Sequence, residues 1–186
     1  MAETNKPILL VVDDEEPQRD ILYEVLSANF PTLGIQTAAN GEEAYAQIMG
    51  MERKPHIVYA DVIMPPGHGG WFLEKLITNP TGPIQIPTFV FTGTPDNEEA
   101  IKAMFYAQIM YTQGQREALQ LVIQPHQFLM MLNLEEQRRD VEAKVRSGDY
   151  NFGFPVLPKP YRLDDLVDRT RKVLQTIYGI DTSPQS

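Results

Sequence analysis

Five short apolar runs, each bounded by Pro, Gly, Asp or Asn, constrain this chain more than any other feature: Ile8 to Val12, Ile35 to Ala38, Ile57 to Ala60, Thr88 to Phe91, and Phe154 to Leu157. They have the length of strands, and their hydrophobicity is nearly continuous rather than alternating, which marks strands covered on both faces. A sheet covered on both faces is a parallel one, with helices above and below it. Helix-length segments lie between the runs at Glu16 to Asn29, Glu42 to Met51 and Gly70 to Thr78, and a last one spans Leu163 to Tyr178. The pattern predicts an α/β, doubly wound, five-stranded parallel sheet. Asn40 with Glu43 predicts a helix N-cap and its reciprocal carboxylate. In the last helix Leu166, Val167, Val173, Leu174 and Ile177 form a stripe that predicts one face packed on the sheet.

The connection before the fifth run breaks the pattern. From Gly93 to Gly153 it takes about 60 residues, where a strand–helix–strand unit needs one helix and two short loops. Helix formers dominate it: one stretch runs from Thr94 to Tyr111, a second from Gln115 to Ile123 before Pro125, and a third from His126 to Arg146, closed by Ser147, Gly148 and Asp149. The expectation is one domain over 7–178, a helical insertion over 96–150 between strands 4 and 5, and a flexible tail over 179–186. Phe128, Leu129, Met130, Met131 and Leu132 would span most of a helix circumference. They need cover on more than one side, from a subdomain, a protein partner or a second copy of the chain.

Composition narrows the function classes. The formal net charge is -9, and the basic residues Arg138, Arg139, Lys144 and Arg146 alternate with Glu135, Glu136, Asp140 and Glu142, as on a solvated helix face. Neither a nucleic-acid stripe nor a membrane-surface patch is present. The absence of cysteine excludes disulfides and thiolate metal sites. Met1 to Lys6 is polar and gives no signal peptide core, so a cytoplasmic location is expected.

In open parallel sheets ligand groups gather at the carboxyl ends of the strands. The first run is followed by Asp13, Asp14 and Glu15, the third by Asp61, the fourth by Thr92 and Gly93, and the fifth by Pro158, Lys159 and Pro160. Three carboxylates, a hydroxyl and an ammonium would share one rim. Carboxylates so crowded resist joint ionisation unless a cation lies among them, and hard oxygen ligands suit Mg²⁺. Each residue also has a plain structural reading: the Asp pair and Thr92 as helix caps, Asp61 as a turn residue, Lys159 as a solvated loop cation. Trp71, Phe72 and Leu73 read as packing residues. His56 and His68 lack metal-ligand spacing to a second histidine and read as surface or packing residues; for His126, alone in the long connection, a phosphotransfer role on a helical hairpin is the alternative, against which Pro125 and its apolar neighbours stand.

The strings "ILLVVDDEE", "TAANGEEAY", "DVIMPPGHGG", "FVFTGT" and "VLPKPY", in this order, resemble the response regulator receiver family of two-component signalling. The resemblance covers residues 7 to 95 and 154 to 178. It implies the flavodoxin-like receiver fold, with Asp61 as the phosphoacceptor that takes a phosphoryl group from a phosphohistidine. It further implies Mg²⁺ held directly by Asp14 and Asp61, by the backbone carbonyl of Ile63, and by Asp13 through water. Lys159 would pair with a phosphoryl oxygen and Thr92 would donate its hydroxyl to another, while Gly93 leaves room for the group and Pro160 follows a bond that can be cis. The implied partners are a histidine kinase or phosphotransfer protein, and downstream a protein partner or a homodimer formed through the insertion. As implied, the chain is not an enzyme beyond catalysing its own phosphorylation and dephosphorylation.

One position departs from the family pattern. Three residues before its lysine the family places an aromatic ring, and here that residue is Val156, with Phe152 or Phe154 as possible substitutes. A second reading therefore stands beside the first: a phosphorylation-independent adaptor with a vestigial pocket. A third, a haloacid-dehalogenase-like phosphatase, would want a second Asp two residues after its nucleophile, and Asp13, Asp14, Glu15 lacks that pattern. With no segment after residue 178 long enough for an effector domain, output is expected through protein contacts or onward phosphotransfer.

Overall fold

The computed structural model describes residues 6–64, 69–81, 84, 86–93, 103, 139, 143–144, 146–147 and 156–182. Its elements are β1 (Ile8–Val12), α1 (Glu16–Asn29), β2 (Gly34–Ala38), α2 (Gly41–Gly50), β3 (Ile57–Asp61), α3 (Gly69–Ile77), β4 (Thr88–Thr92), β5 (Val156–Pro158) and a C-terminal helix, α4 (Leu163–Tyr178). The strands pair in parallel in the order β2-β1-β3-β4-β5. Most of the stretch 94–155 lies outside the described residues, and with it the expected insertion, the five-residue apolar run, His126, Phe152 and Phe154. Ala103, which is described, is helical and fully buried. Arg139 and Arg146 are helical and exposed, in keeping with a solvated charged face.

Burial on both faces explains the unbroken apolar runs. Successive strand side chains point to opposite faces. Leu10 and Val12 of β1 therefore join Val58, Ala60 and Val90 in a core beneath Ala44 and Ile48 of α2 and Phe72, Leu73 and Leu76 of α3. Leu9 and Val11 join Tyr59, Phe89 and Phe91 on the other face, beneath Leu22 and Leu26 of α1 and Leu166 and Leu174 of α4. β2 departs from the expectation. It pairs only with β1, at the sheet edge, and Ala38 alone among its residues is fully buried. An edge strand has one neighbour fewer to cover it.

Local chemistry sets the helix ends. Asn40 Oδ1 accepts the Glu43 N–H at 2.9 Å, while Glu43 Oε2 reaches back to the N–H of Ala39 at 2.8 Å, one residue earlier than the usual reciprocal cap. α4 stops at Gly179, whose φ of 64° lies in the left-handed region that glycine adopts without steric penalty. No helix among the described residues is long and apolar enough to cross a membrane.

Two polar contacts pin α4 to the sheet. Thr170 Oγ1 donates to the Leu166 carbonyl at 2.7 Å, so the Tyr59 hydroxyl, 2.8 Å away, donates to Thr170. At the opposite end of the sheet His56 Nδ1 accepts the Ile8 N–H at 3.3 Å. Its carbonyl accepts the Tyr178 hydroxyl at 2.8 Å, and the two rings lie 4.7 Å apart. His56 thus has the packing role expected of it and ties β1, β3 and α4 together.

Burial, with Arg53 nearby, pushes the His56 imidazole below its ordinary pKa of 6.5. The unfolded chain then binds a proton that the folded chain resists, so stability is lost as pH falls through 6.5. Urea unfolding of the wild type and His56→Gln, followed from about pH 7.5 to about pH 5.5, should show the wild type losing stability relative to the variant. The slope should not exceed about 1.4 kcal/mol per pH unit. A pH-independent difference would refute this role for His56.

Candidate functional site

The topology creates a crevice before any side chain is considered. From β1 the chain crosses by α1 to β2 on one side, then returns by α2 to β3 on the other, so β1 and β3 flank a topological switch point. Asp13 and Asp14 leave the carboxyl end of β1, and Asp61 is the last residue of β3. Thr92 ends β4, and Lys159 follows β5. Register keeps these ends level: Val12 pairs with Ala60, Asp61 with Phe91, and Thr92 with Pro158.

Asp13, Asp14 and Asp61 each offer an oxygen to one centre, all within 4.8 Å of one another. Asp13 is 0% exposed and Asp61 7%, while Asp14 faces solvent. Lys159 Nζ lies 3.1 Å from Asp61 Oδ2 and 3.6 Å from Asp13 Oδ2. Asp61 Oδ1 accepts the Val62 N–H at 2.8 Å, and Asp13 Oδ1 accepts that of Glu15 at 2.9 Å. That second bond closes a turn ahead of α1 and is not a helix cap, since the N-cap residue is Glu15 and makes no side-chain cap bond. It occupies one oxygen of Asp13 and leaves Oδ2 buried without a hydrogen-bond partner.

The electrostatics match the crowding. Burial raises the Asp61 pKa above its ordinary value of 3.8, against the pull of Lys159 and with a further push from Asp14. Burial raises Asp13 as well, opposed by the Glu15 N–H and Lys159. For Lys159 burial acts downward, but Asp61 and Asp13 outweigh it and hold the ammonium above 10.5. One ammonium facing three carboxylates leaves a deficit of positive charge. A buried carboxylate oxygen that accepts no hydrogen bond and meets only the Lys159 ammonium at 3.6 Å, together with an all-oxygen donor set, fits a hard divalent cation.

Thr92 is fully buried, and its carbonyl accepts the Lys159 N–H at 2.7 Å, which fixes the lysine loop to the end of β4. The Lys159–Pro160 peptide bond is cis. Among the described residues, a Cβ added to Gly93 would meet nothing within 4 Å. Ile63 stands two residues beyond Asp61, 41% exposed, at the mouth of a loop whose residues 65–68, His68 among them, lie outside the described set. Gly69 closes that loop, donating its N–H to the Val62 carbonyl at 3.0 Å. Any Cβ there would sit 2.5 Å from the Asp61 carbonyl oxygen, so only glycine fits. Phe72 and Leu73 are core residues, and Trp71 packs edge-on against Tyr45, as their packing roles require.

Two residues at the site escaped the sequence reading. Arg19 Nη1 donates to the Asp13 carbonyl at 2.6 Å. Tyr161 stacks on Phe91 with ring centres 4.7 Å apart, and its hydroxyl is pushed up to about 12 by burial and then by the charges of Asp13 and Asp61. Tyr161 was marked by its place two residues beyond Lys159. For Arg19 nothing in the sequence shows that its side chain turns back. Val156 pairs with Val90 through its backbone, while its side chain lies outside the described set.

A family model for the response regulator receiver domain matches residues 9–112, more than half of the chain. Solved structures share the fold. A two-component response regulator from Clostridium difficile superposes with a TM-score of 0.57 at 15% identity, over 93% of this chain and 99% of that one. The chemotaxis response regulator CheY4 of Vibrio cholerae gives 0.52 at 18%, over 91% and 100%. The receiver domain of NtrX from Brucella abortus gives 0.52 at 20%, over 90% and 98%. No curated protein matches the chain.

The raised pKa of Asp61 has a consequence for stability. An acid whose folded pKa is raised stabilises the fold below that pKa, and the contribution is lost as pH rises through it. Near neutral pH, in metal-free buffer, Asp61→Asn should therefore be more stable than the wild type. Mg²⁺ should narrow the gap by stabilising the wild type preferentially. Thermal unfolding with and without Mg²⁺ reads both effects, and a wild type more stable than the variant in metal-free buffer would contradict the assignment of a strained carboxylate cluster.

Proposed function

This chain belongs to the response regulator receiver family, and on that premise we propose that it is a phosphoacceptor of a two-component or phosphorelay system, modified on Asp61. The observation that carries this reading is the Lys159 ammonium 3.1 Å from Asp61 Oδ2, within a cluster of three carboxylates at the switch point. In this proposal the domain covers 7–178, with an insertion over 96–150, most of which lies outside the described residues, and a tail over 179–186.

In the transfer, a carboxylate oxygen of Asp61 forms a bond to phosphorus as the P–N bond of a donor phosphohistidine breaks. The bonding pair leaves with the imidazole. Lys159, already held at the site by its two carboxylates, turns to a phosphoryl oxygen, and the Thr92 hydroxyl donates to another. Asp14, Asp61 and the Ile63 carbonyl would hold Mg²⁺ directly, and Asp13 would hold it through water. An ion held there would supply the positive charge that lets an anionic nucleophile meet an anionic phosphoryl group. The chain acts as a catalyst only in its own phosphorylation and dephosphorylation.

The donor is a histidine kinase or phosphotransfer protein in the cytoplasm. Phosphorylation shifts the population between two conformers and so changes partner binding. The readers of that change are a downstream protein or a second copy of the chain bound through the insertion.

Incubation with acetyl phosphate and Mg²⁺, followed by intact mass measurement, tests the assignment. The wild type should gain one phosphoryl group, and Asp61→Asn none. Equal labelling of the two proteins would overturn it.

A further inference from the structure

We infer that Arg19 is a positioning residue for the metal-binding acid pair, acting through the peptide that joins Asp13 to Asp14. This inference rests on the reading of the acid cluster as a Mg²⁺ site. Asp13 is anchored three times: its N–H donates to the Ala38 carbonyl at 3.2 Å, its Oδ1 accepts from Glu15, and its carbonyl accepts from Arg19 Nη1 at 2.6 Å. Asp14 differs. It is exposed, and among the described residues no hydrogen bond or ion pair holds its carboxylate. Its place relative to Asp61 is therefore set through the backbone, by β1 before it, α1 after it, and the arginine that fixes the orientation of the intervening peptide.

The direction of the Arg19 side chain supports a specific role. Arg19 lies in the first turns of α1, its own N–H bonded to the Glu15 carbonyl at 3.1 Å, and its side chain folds back toward the N-terminal end of that helix. A cation there opposes the helix macrodipole. The N-cap residue of α1, Glu15, makes no side-chain cap hydrogen bond. What offsets the placement is a short charge-assisted bond to the Asp13 carbonyl and the negative field of three carboxylates just beyond it. The planar fork of arginine holds a carbonyl in a defined direction, which the point charge of a lysine does less well.

Two effects of Arg19 on Mg²⁺ have opposite signs, and this makes the role testable. Its charge repels a cation, so an arginine that acted only by charge would, when removed, let Mg²⁺ bind more tightly. That repulsion is screened at a half-exposed side chain. A residue that orients metal ligands weakens binding when removed, typically by 10- to 100-fold.

Calorimetric titration of the full chain with Mg²⁺ separates the two. Arg19→Gln should bind Mg²⁺ about 10-fold more weakly than the wild type. Arg19→Lys, with the same charge and no fork, should fall between them. The Mg²⁺-induced rise in melting temperature should shrink in the same order. Affinity equal to or tighter than wild type in Arg19→Gln overturns the inference, as does wild-type affinity in Arg19→Lys if the glutamine variant does not fold. Asp14→Ala is the control for the underlying reading. If the wild type does not bind Mg²⁺, or Asp14→Ala binds it as well as the wild type does, the metal site itself is refuted and the inference falls with it. If only the Arg19 variants behave like the wild type, the inference alone fails.

Discussion

Three carboxylates and one ammonium occupy the crevice between the carboxyl ends of β1 and β3, and the surrounding architecture serves to hold them there. Left to itself such a cluster would fly apart or take up protons, because burial and mutual repulsion both act against the charged forms of Asp13 and Asp61. It persists because each member is fixed by backbone rather than by its neighbours' goodwill. Asp13 is tied to β2 and to the start of α1, Asp61 is the last residue of a strand paired on both sides, and Lys159 follows a strand whose loop is bonded to the end of β4. The remaining charge deficit fits a small, hard cation.

That rigidity comes from a sheet buried on both faces. On the side of α1 and α4, Tyr59 stacks on Phe89 at 5.3 Å, and Phe91 stacks in turn on Tyr161 at 4.7 Å. A continuous set of rings thus runs from the strand that carries Asp61 to the loop that carries Lys159. The Tyr59 hydroxyl, held protonated by complete burial, ends the set on Thr170 of α4. The pocket and the C-terminal helix therefore share one packed layer. On the other face Gly69 lets α3 start directly against the Asp61 carbonyl.

Much of this was legible in the sequence, for identifiable reasons. Strands covered on both faces leave an unbroken apolar signature, so β1, β3 and β4 could be read within a residue of their ends, and so could the rim residues that follow them. β2 was legible as a strand but not as an edge, because Ile35, Thr37 and Ala38 carry no mark of how many neighbours a strand will have. Arg19 was illegible, since its contact depends on a side chain reversing along its own helix, and a helix reading assigns it to the solvated face. The Glu43 carboxylate shows the same limit on a smaller scale: spacing predicts that it reaches back, while the backbone of residues 38–40 decides which N–H it meets.

The central claim, that the carboxylate at position 61 becomes an acyl phosphate, is tested most directly by trapping that bond chemically. Borohydride reduces an acyl phosphate to the alcohol, so the full-length protein can be treated with a phosphodonor and Mg²⁺, reduced, digested and mapped by peptide mass spectrometry. The account predicts homoserine in place of Asp61 and at no other aspartate, dependent on both donor and Mg²⁺. Reduction product at Asp13 or Asp14, or donor-dependent phosphate carried on a histidine with Asp61 intact, would contradict it.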